Sequence, residues 1–302
     1  MAQKRSNLWL WIIIGGGSFL FFILCLAALA MMFTNKGSPQ ISRSSNQIAS
    51  LEIKGTISDS KNFIEELKEY GKRANVKAVV IRIDSPGGDV AASQEIYEAI
   101  KKFRAETKKK VVVSMASTAA SGGYYVACAA DRIFANPGTV TGSIGVIAQW
   151  YDYSDLLRWA KMQSIVIKSG ELKDSGSGFR PITDKEKIYF QSLIDDMYGQ
   201  FVSAVSKSRN IPEEEVRKLA DGRVYTGREA KENRLVDEIG TFQDAVDAAA
   251  KMGKITGEPK LLTPLKKRFS VFDLLFVENA DSVFPLSSGG SESHIRFEYL
   301  WR

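Results

Sequence analysis

VVVSMASTAASGGYYVACAA, residues 111–130, decides how the rest of the chain is read. Val111, Val112 and Val113 form a short β-branched run of the kind that suits a buried strand. Small residues follow, then Ser121-Gly122-Gly123, then an aromatic and alanine-rich segment. The stretch predicts a buried strand, a tight turn and the start of a buried helix. A serine at that turn would carry its hydroxyl at a helix N-terminus, and the adjoining glycines would let a second backbone approach closely. The same residues also fit a glycine-rich turn whose serine is only an N-cap. The rest of the chain has to separate the two readings.

Upstream, ASLEIKGTI (residues 49–57) alternates and ends in a Gly-Thr turn, a strand. Phe63, Ile64, Leu67 and Tyr70 are spaced as on a helix. VKAVVIRI (residues 76–83) reads as a second strand, broken at Asp84-Ser85-Pro86-Gly87-Gly88. A helix follows from about Ser93, with Ile96, Ile100 and Phe103 on one face. Downstream, a short strand at Ile133–Ala135 is closed by Asn136-Pro137-Gly138. Residues 140–148 form a small-residue turn running into an apolar stretch. Asp152–Ala160 reads as a helix, Ser164–Ile167 as a strand, and residues 171–180 as a polar loop. Thr183 opens a long helix, with Glu186 completing a capping box. Pro212 starts a further helix at its first position, and the last clear helix runs from Thr241. Strands alternating with helices across Gly-rich turns predict an α/β domain with a largely parallel sheet.

The apolar residues are unevenly spread. From Leu8 to Phe33 no residue is charged, and these 26 positions exceed the roughly 20 needed to cross a hydrocarbon core. Lys4 and Arg5 stand before this stretch, with Trp9 and Trp11 at its start. Residues 1–7 are then a cytoplasmic N-terminus, 8–33 a transmembrane signal anchor and 34–48 a polar linker. Residues 49–253 form the main domain, exported across the membrane, and 254–302 a C-terminal extension. Ala28-Leu29-Ala30 could serve instead as a cleavage site. Within the extension, Phe269, Phe272, Leu274, Leu275 and Phe276 could form an amphipathic helix behind Lys266-Lys267-Arg268. The formal charge of +6 is modest and its basic residues are interspersed with acids. A membrane surface suits that balance; nucleic acid has no motif to support it. Cys25 and Cys128 fall in the apolar span and the core helix, so they form no disulfide, and no Cys/His cluster offers a metal site.

Histidine usage narrows the chemistry. The chain has one histidine, His294, in a Ser/Gly-rich stretch of the extension. A Ser-His-Asp triad in the core is excluded, and histidine-ligated zinc with it. If Ser121 is a nucleophile, its base must be a lysine, a carboxylate or a terminal amine. The amine would lie across the membrane. A lysine base must be neutral, and bringing its pKa from about 10.4 to about 7 amounts to roughly 4.6 kcal/mol. Burial among apolar groups can supply that. Most lysines here sit on charged helix faces. Lys168, ending the strand in IVIKSG, and Lys173, in the loop ELKDSGSG, do not, and composition does not choose between them.

Several motifs in order make a more specific pattern. Asp84-Ser85-Pro86-Gly87-Gly88, Ala119-Ala120-Ser121-Gly122-Gly123-Tyr124-Tyr125, Thr141-Gly142-Ser143-Ile144-Gly145-Val146 and Lys168-Ser169-Gly170 with Lys173-Asp174 come first. Asp221-Gly222-Arg223-Val224-Tyr225-Thr226-Gly227 and Leu235-Val236-Asp237-Glu238-Ile239-Gly240 follow. Together they resemble the signal peptide peptidase A family, membrane-anchored serine proteases with a Ser-Lys dyad. The resemblance covers about residues 49–250 and holds one copy of the motif set, as in the short bacterial form.

That resemblance implies a Clp-protease/crotonase-type fold behind one N-terminal transmembrane helix. It implies Ser121 as nucleophile, Lys173 as general base and Ser143 as the residue orienting the lysine amine. The backbone N–H groups of Gly88 and Gly122 match the oxyanion hole. Asp174, next to the base, is expected to turn its carboxylate away, and Asp84 to serve the local turn. No cofactor or metal is implied. The implied partners are the membrane, peptide substrates left from cleaved signal peptides, and further copies of the chain in a ring whose protomers share active sites. The implied place is the bacterial inner (cytoplasmic) membrane, with the catalytic domain outside the cytoplasm. Two other readings stand beside this one. Acyl-CoA chemistry on the crotonase-type fold lacks a basic nucleotide-pocket motif here. A non-catalytic membrane scaffold or chaperone-like assembly protein would leave the intact Ser121, Lys173 and Ser143 without a use.

Overall fold

The structure, a computed structural model, describes residues 22–24, 46–263 and 297–301. The chain divides into two compact units, Met1–Arg43 and Ser44–Arg302. Residues 22–24 of the first are helical and exposed. Among the described residues no helix is long and apolar enough to cross a membrane. The anchor expected over residues 8–33 lies otherwise outside the described residues, as do Cys25, His294 and the amphipathic segment around Phe272.

The second unit begins with β1 (Gln47–Lys54), α1 (Lys61–Lys72), β2 (Val76–Ser85), the short β3 (Gly87–Asp89) and α2 (Val90–Thr107). Next come β4 (Lys110–Ala120), α3 (Gly122–Ala127), β5 (Arg132–Ala135), β6 (Val140–Gly142), β7 (Ile147–Ala148) and α4 (Ser154–Trp159). A single 3-10 turn, Glu171–Asp174, leads to α5 (Asp184–Arg209), α6 (Glu213–Leu219), β8 (Val224–Thr226) and α7 (Gly227–Glu232). Then follow β9 (Glu238–Ile239), α8 (Phe242–Met252), β10 (Lys260–Leu262) and β11 (Phe297–Leu300). The main sheet runs β10-β1-β2-β4-β5-β9 with every neighbour parallel. The outer half of β4 turns to β6, which is parallel to it and antiparallel to β8. This is the expected α/β domain with a mainly parallel sheet.

Both faces of the sheet are covered, which is why its strands read as apolar runs. Side chains alternate across a strand. Ala78 and Val80 of β2, with Ile48 and Val112, meet Ala245, Val246 and Ala249 of α8. Val79, Ile81, Val111 and Val113 enter the larger core with α1, α2, α3 and α5 on the other face. The helix starts follow their caps. Thr183, Thr226 and Thr241 each close a capping box on the residue three positions later. Asp89 caps α2 by accepting from the Ala92 N–H at 2.9 Å, three residues before the start expected at Ser93. Pro212 is the cap rather than the first residue of α6.

One expected strand is missing. Residues 164–167 pair with nothing, and Ile165 and Ile167 are 84% and 97% exposed. An apolar alternating run becomes a strand only where a sheet edge offers its hydrogen bonds, and no edge reaches this segment. The extension, conversely, contributes a strand that its composition did not announce. β11 lies antiparallel to both β3 and β7, forming a second, three-stranded sheet.

Candidate active site

Ser121 sits where β4 ends and α3 begins, with φ 51° and ψ −116°. Its N–H donates to the Gly142 carbonyl at 2.8 Å, and its own carbonyl accepts from the Tyr125 N–H at 2.8 Å. These two bonds hold a backbone conformation that an L-residue disfavours. The serine is 1% exposed. The Ser121 side chain takes no capping hydrogen bond, so its hydroxyl does not serve as an N-cap. It lines a cleft of about 520 Å³ together with Ser143, Ile144, Val146, Ile194 and Tyr198.

Ser143 reaches that cleft through a second unusual backbone. Gly142 has φ 80° and Ser143 φ 49°, and the Ser143 N–H donates to the Arg223 carbonyl at 2.8 Å. β4 and β6 are thus tied edge to edge up to Ala120 and Gly142, and each then turns sharply at a serine. Asp84 serves the scaffold below. Its carboxylate accepts from the Thr118 N–H at 3.1 Å, where the β2–β4 register shifts between Ile83 and Ser85.

Gly88 and Gly122 converge beside Ser121. The Trp301 N–H donates to the Pro86 carbonyl at 2.8 Å. Two residues along that antiparallel register, Tyr299 and Gly88 form the next hydrogen-bonded pair, so the Gly88 N–H faces the Tyr299 carbonyl. A Cβ built on Gly122 would lie 3.2 Å from both the Gly88 nitrogen and the Tyr299 carbonyl oxygen. A Cβ built on Gly87, at φ +102°, would lie 2.7 Å from the Gly122 nitrogen and 1.9 Å from that same oxygen. Two backbone donors thus border one point, and a carbonyl oxygen is there. Only glycine leaves room for it.

Lys173 is elsewhere. It lies in the exposed 3-10 turn and does not line the cleft that holds Ser121 and Ser143. Its neighbours form an ionic web. Asp174 accepts from Lys168 Nζ at 2.5 Å and from Arg180 Nε at 3.0 Å. Arg180 also donates to Glu186 at 2.5 and 2.9 Å, and the Thr183 N–H donates to Glu186 at 2.8 Å. Arg180 and then Lys168 hold Asp174 well below the ordinary carboxylate range. Arg180, opposed by burial, holds Glu186 down to about 2. Asp174 therefore points into this web, as expected, and Lys168 is occupied by the Glu171 carbonyl at 2.8 Å as well as by Asp174.

Beside the cleft stands a buried cluster of aromatic rings. Tyr125 lies 4.9 Å from Tyr97 and 5.0 Å from Phe201, ring centre to ring centre. Burial pushes the Tyr125 hydroxyl up to about 12. Burial likewise pushes the Cys128 thiol up to about 11, which removes it as a nucleophile at neutral pH. Among the described residues no group of His, Cys, Asp or Glu could hold a metal ion.

The model of peptidase family S49 matches residues 103–256, and that of Clp protease residues 43–139. The chain belongs to peptidase family S49. A Synechocystis sp. protein named as a protease is 44% identical over 206 residues, covering 68% of this chain and 73% of its own length. An Enterococcus faecium protein named as signal peptide peptidase SppA is 37% identical over 226 residues, 70% of this chain and 65% of its own. Protease 4 of Haemophilus influenzae is 34% identical over 216 residues, 68% of this chain and 35% of its own. These relatives place the S49 chain in the signal peptide peptidase A family and make it a serine peptidase. Sequence reasoning about this S49 peptidase missed Gly87, whose place against the Tyr299 carbonyl only the packing reveals. It also missed the aromatic cluster, whose members Tyr97, Tyr125 and Phe201 lie on three different helices.

Proposed function

We propose that this chain is a membrane-anchored serine endopeptidase that cuts signal-peptide remnants with a Ser121–Lys173 dyad. The observation that carries this reading is the convergence of Ser121 with the Gly88 and Gly122 N–H groups on one carbonyl-sized space. Ser121 Oγ attacks the scissile carbonyl carbon, and the developing oxyanion is stabilised by those two N–H donors. Lys173 takes the serine proton and later delivers it to the leaving amine. Ser143, lining the same cleft, orients the lysine amine.

Because Lys173 is exposed and outside the cleft of its own chain, the base is supplied by a neighbouring protomer in a ring. An exposed apolar surface supports that assembly. Tyr151, Trp159, Met162, Ile165 and Ile167, all within one stretch of chain, are between 63% and 97% exposed, and apolar side chains exposed in such number favour an interface. Residues 8–33 hold the ring at the extracytoplasmic face of the bacterial inner membrane, where signal-peptide remnants are found. A carbonate wash checks the anchor: the chain stays in the membrane fraction, whereas full release contradicts it.

Peptide hydrolysis by the full chain in detergent tests the dyad. Ser121→Ala and Lys173→Ala abolish cleavage with folding intact, while Lys168→Ala keeps much of it. Activity retained by Ser121→Ala ends the proposal. A dead Lys168→Ala beside an active Lys173→Ala moves the base to Lys168.

A further inference from the structure

The chain enters its main domain among cations. β1 begins at Gln47, which pairs with Val76 of β2 on one side and with Lys260 of β10 on the other. Ile48 stands opposite Ala78, and Ala78 opposite Lys110 of β4. Neighbouring strands lie about 4.8 Å apart, so Lys110 opens its strand about 10 Å from the start of β1. Three helices end at this same edge. α1 and α2 lead straight into β2 and β4, and a Cβ built on Gly253, just after α8, would lie 3.4 Å from the Lys77 Cβ. Here a hollow of about 430 Å³ has Lys101, Arg104, Lys108, Lys109, Lys110 and Asp131 as its charged lining.

The acid in that hollow is already engaged. Asp131 accepts from Arg104 at 2.8 and 3.0 Å and from Lys110 at 3.3 Å. Lys101 meets Glu98 at 2.9 Å. Helix ends account for part of the positive charge. Lys109 Nζ donates to the carbonyls of Tyr70, Gly71 and Arg73 at 2.8, 2.7 and 2.8 Å, which closes the end of α1. A helix C-terminus carries only about half a negative charge, however. Lys77 and Lys110 open strands, whose dipoles largely cancel. Burial, and then the Lys77 charge, hold the Lys109 amine below the ordinary lysine value. Arg73, Lys77, Lys108 and Lys260 face solvent. Residues 34–45, which lead into this edge, add Lys36 and Arg43 and contain no acid. The positive excess thus exceeds what the helix ends call for, and it surrounds the point where the chain arrives.

We propose that this edge of the sheet docks on a bilayer surface of anionic phospholipid, with headgroup phosphates seated in the hollow beside Lys108 and Lys110. The proposal rests on residues 8–33 being the membrane anchor. The 12 residues 34–45 reach at most about 40 Å, so the tether keeps the edge close to the surface and its effective concentration there high. Charges screened beyond about 8 Å at physiological salt act only on contact, and each lysine brought to an anionic surface adds to the binding. β4 is 11 residues long and carries Ser121 about 35 Å from the docked edge. A peptide therefore reaches Ser121 only after leaving the bilayer.

The full chain in nanodiscs tests this, with the rate at which single lysines react with an amine-acetylating reagent read by peptide mass. One set of discs holds phosphatidylcholine alone, and the other an equal mixture with phosphatidylglycerol. Lys77, Lys108 and Lys260 are expected to react about fivefold more slowly on the anionic discs at low salt and to recover at high salt. Lys187, on the first turn of α5, is expected to react alike on both. In the double variant Lys77→Glu, Lys108→Glu the slowing at Lys260 is expected to vanish, while hydrolysis of a soluble peptide in detergent is unchanged and shows the fold intact. Equal rates on the two kinds of disc overturn the docking, whatever the variant does. Equal protection on phosphatidylcholine discs given inorganic phosphate overturns it too, in favour of a free-anion site. Flotation with vesicles after a carbonate wash separates the anchor from the docking. A chain that floats with both lipids yet shows equal lysine rates keeps the anchor and loses the docking. A chain that floats with neither loses both.

Discussion

Ser121 holds φ 51° and ψ −116°, a conformation that disfavours any Cβ. Strain of this kind amounts to about 1–3 kcal/mol, and the surrounding bonds to Gly142 and Tyr125 maintain it. Ser121→Gly relieves the strain while Ser121→Ala does not. Both variants should be inactive, yet Ser121→Gly should be more stable than Ser121→Ala by about 1 kcal/mol, after the extra unfolded-state entropy of glycine is set against the relief. Urea unfolding of the pair measures this. Gly88 and Gly122, the proposed oxyanion donors, differ in a comparable way. A Cβ on Gly88 would lie 2.2 Å from the Ile57 carbonyl oxygen, which is backbone. A Cβ on Gly122 would lie 2.6 Å from Ser93 Oγ, the end of a side chain. Gly88→Ala should therefore destabilise by about 1–3 kcal/mol, and Gly122→Ala by less, with thermal unfolding as the readout.

At the scale of elements, the turn carrying Lys173 is held by charge rather than by a core. Asp174, Arg180 and Glu186 link the 3-10 turn to the start of α5, and Glu186 is the buried member at 2% exposed. Both carboxyls are held below their ordinary values. Depressed carboxyl groups stabilise the fold above their unfolded pKa, and that contribution is lost as pH falls through the folded value. The turn should thus loosen between about pH 4.3, the unfolded Glu value, and the folded Glu186 value of about 2. Hydrogen exchange of residues 171–175 follows this directly. Glu186→Gln should flatten that acid dependence, and Arg180→Met should speed exchange at neutral pH while lowering peptidase activity. Much of this scale was legible in the sequence. The Thr183-Glu186 box and the Thr241 cap are local chemistry, carried by residues three apart. The strand expected at 164–167 failed because pairing depends on an edge that local pattern does not describe. β11 escaped notice for the converse reason. Its alternation of Phe297, Tyr299 and Trp301 has the period of a strand, but its partners Gly87–Asp89 lie more than two hundred residues away.

For the whole molecule, the candidates Ser121, Gly88 and Gly122 were readable because each sits in a glycine turn after a parallel strand. The choice between Lys168 and Lys173 as the proposed base was not readable from residue chemistry, since the two differ only in what surrounds them. The structure shows Lys168 spent on Asp174 and Glu171 and leaves Lys173 outside the cleft. The proposed Ser121–Lys173 pairing then requires a second copy of the chain. Trp159→Glu and Ile167→Glu place charges on the exposed apolar surface and should both dissociate the assembly and abolish activity. Light scattering behind a sizing column, with activity measured on each fraction, reads the two effects together. An active monomer would remove the need for a neighbour.

Co-expression of Ser121→Ala with Lys173→Ala tests the shared site most directly. Each variant alone lacks one half of every dyad. In a mixed ring, a protomer with Ser121 intact can stand beside one with Lys173 intact, and random assembly makes this so at about a quarter of the sites. The account predicts that the mixture regains about a quarter of wild-type peptide hydrolysis while each variant alone stays inactive. A mixed assembly that forms and shows no hydrolysis would contradict it.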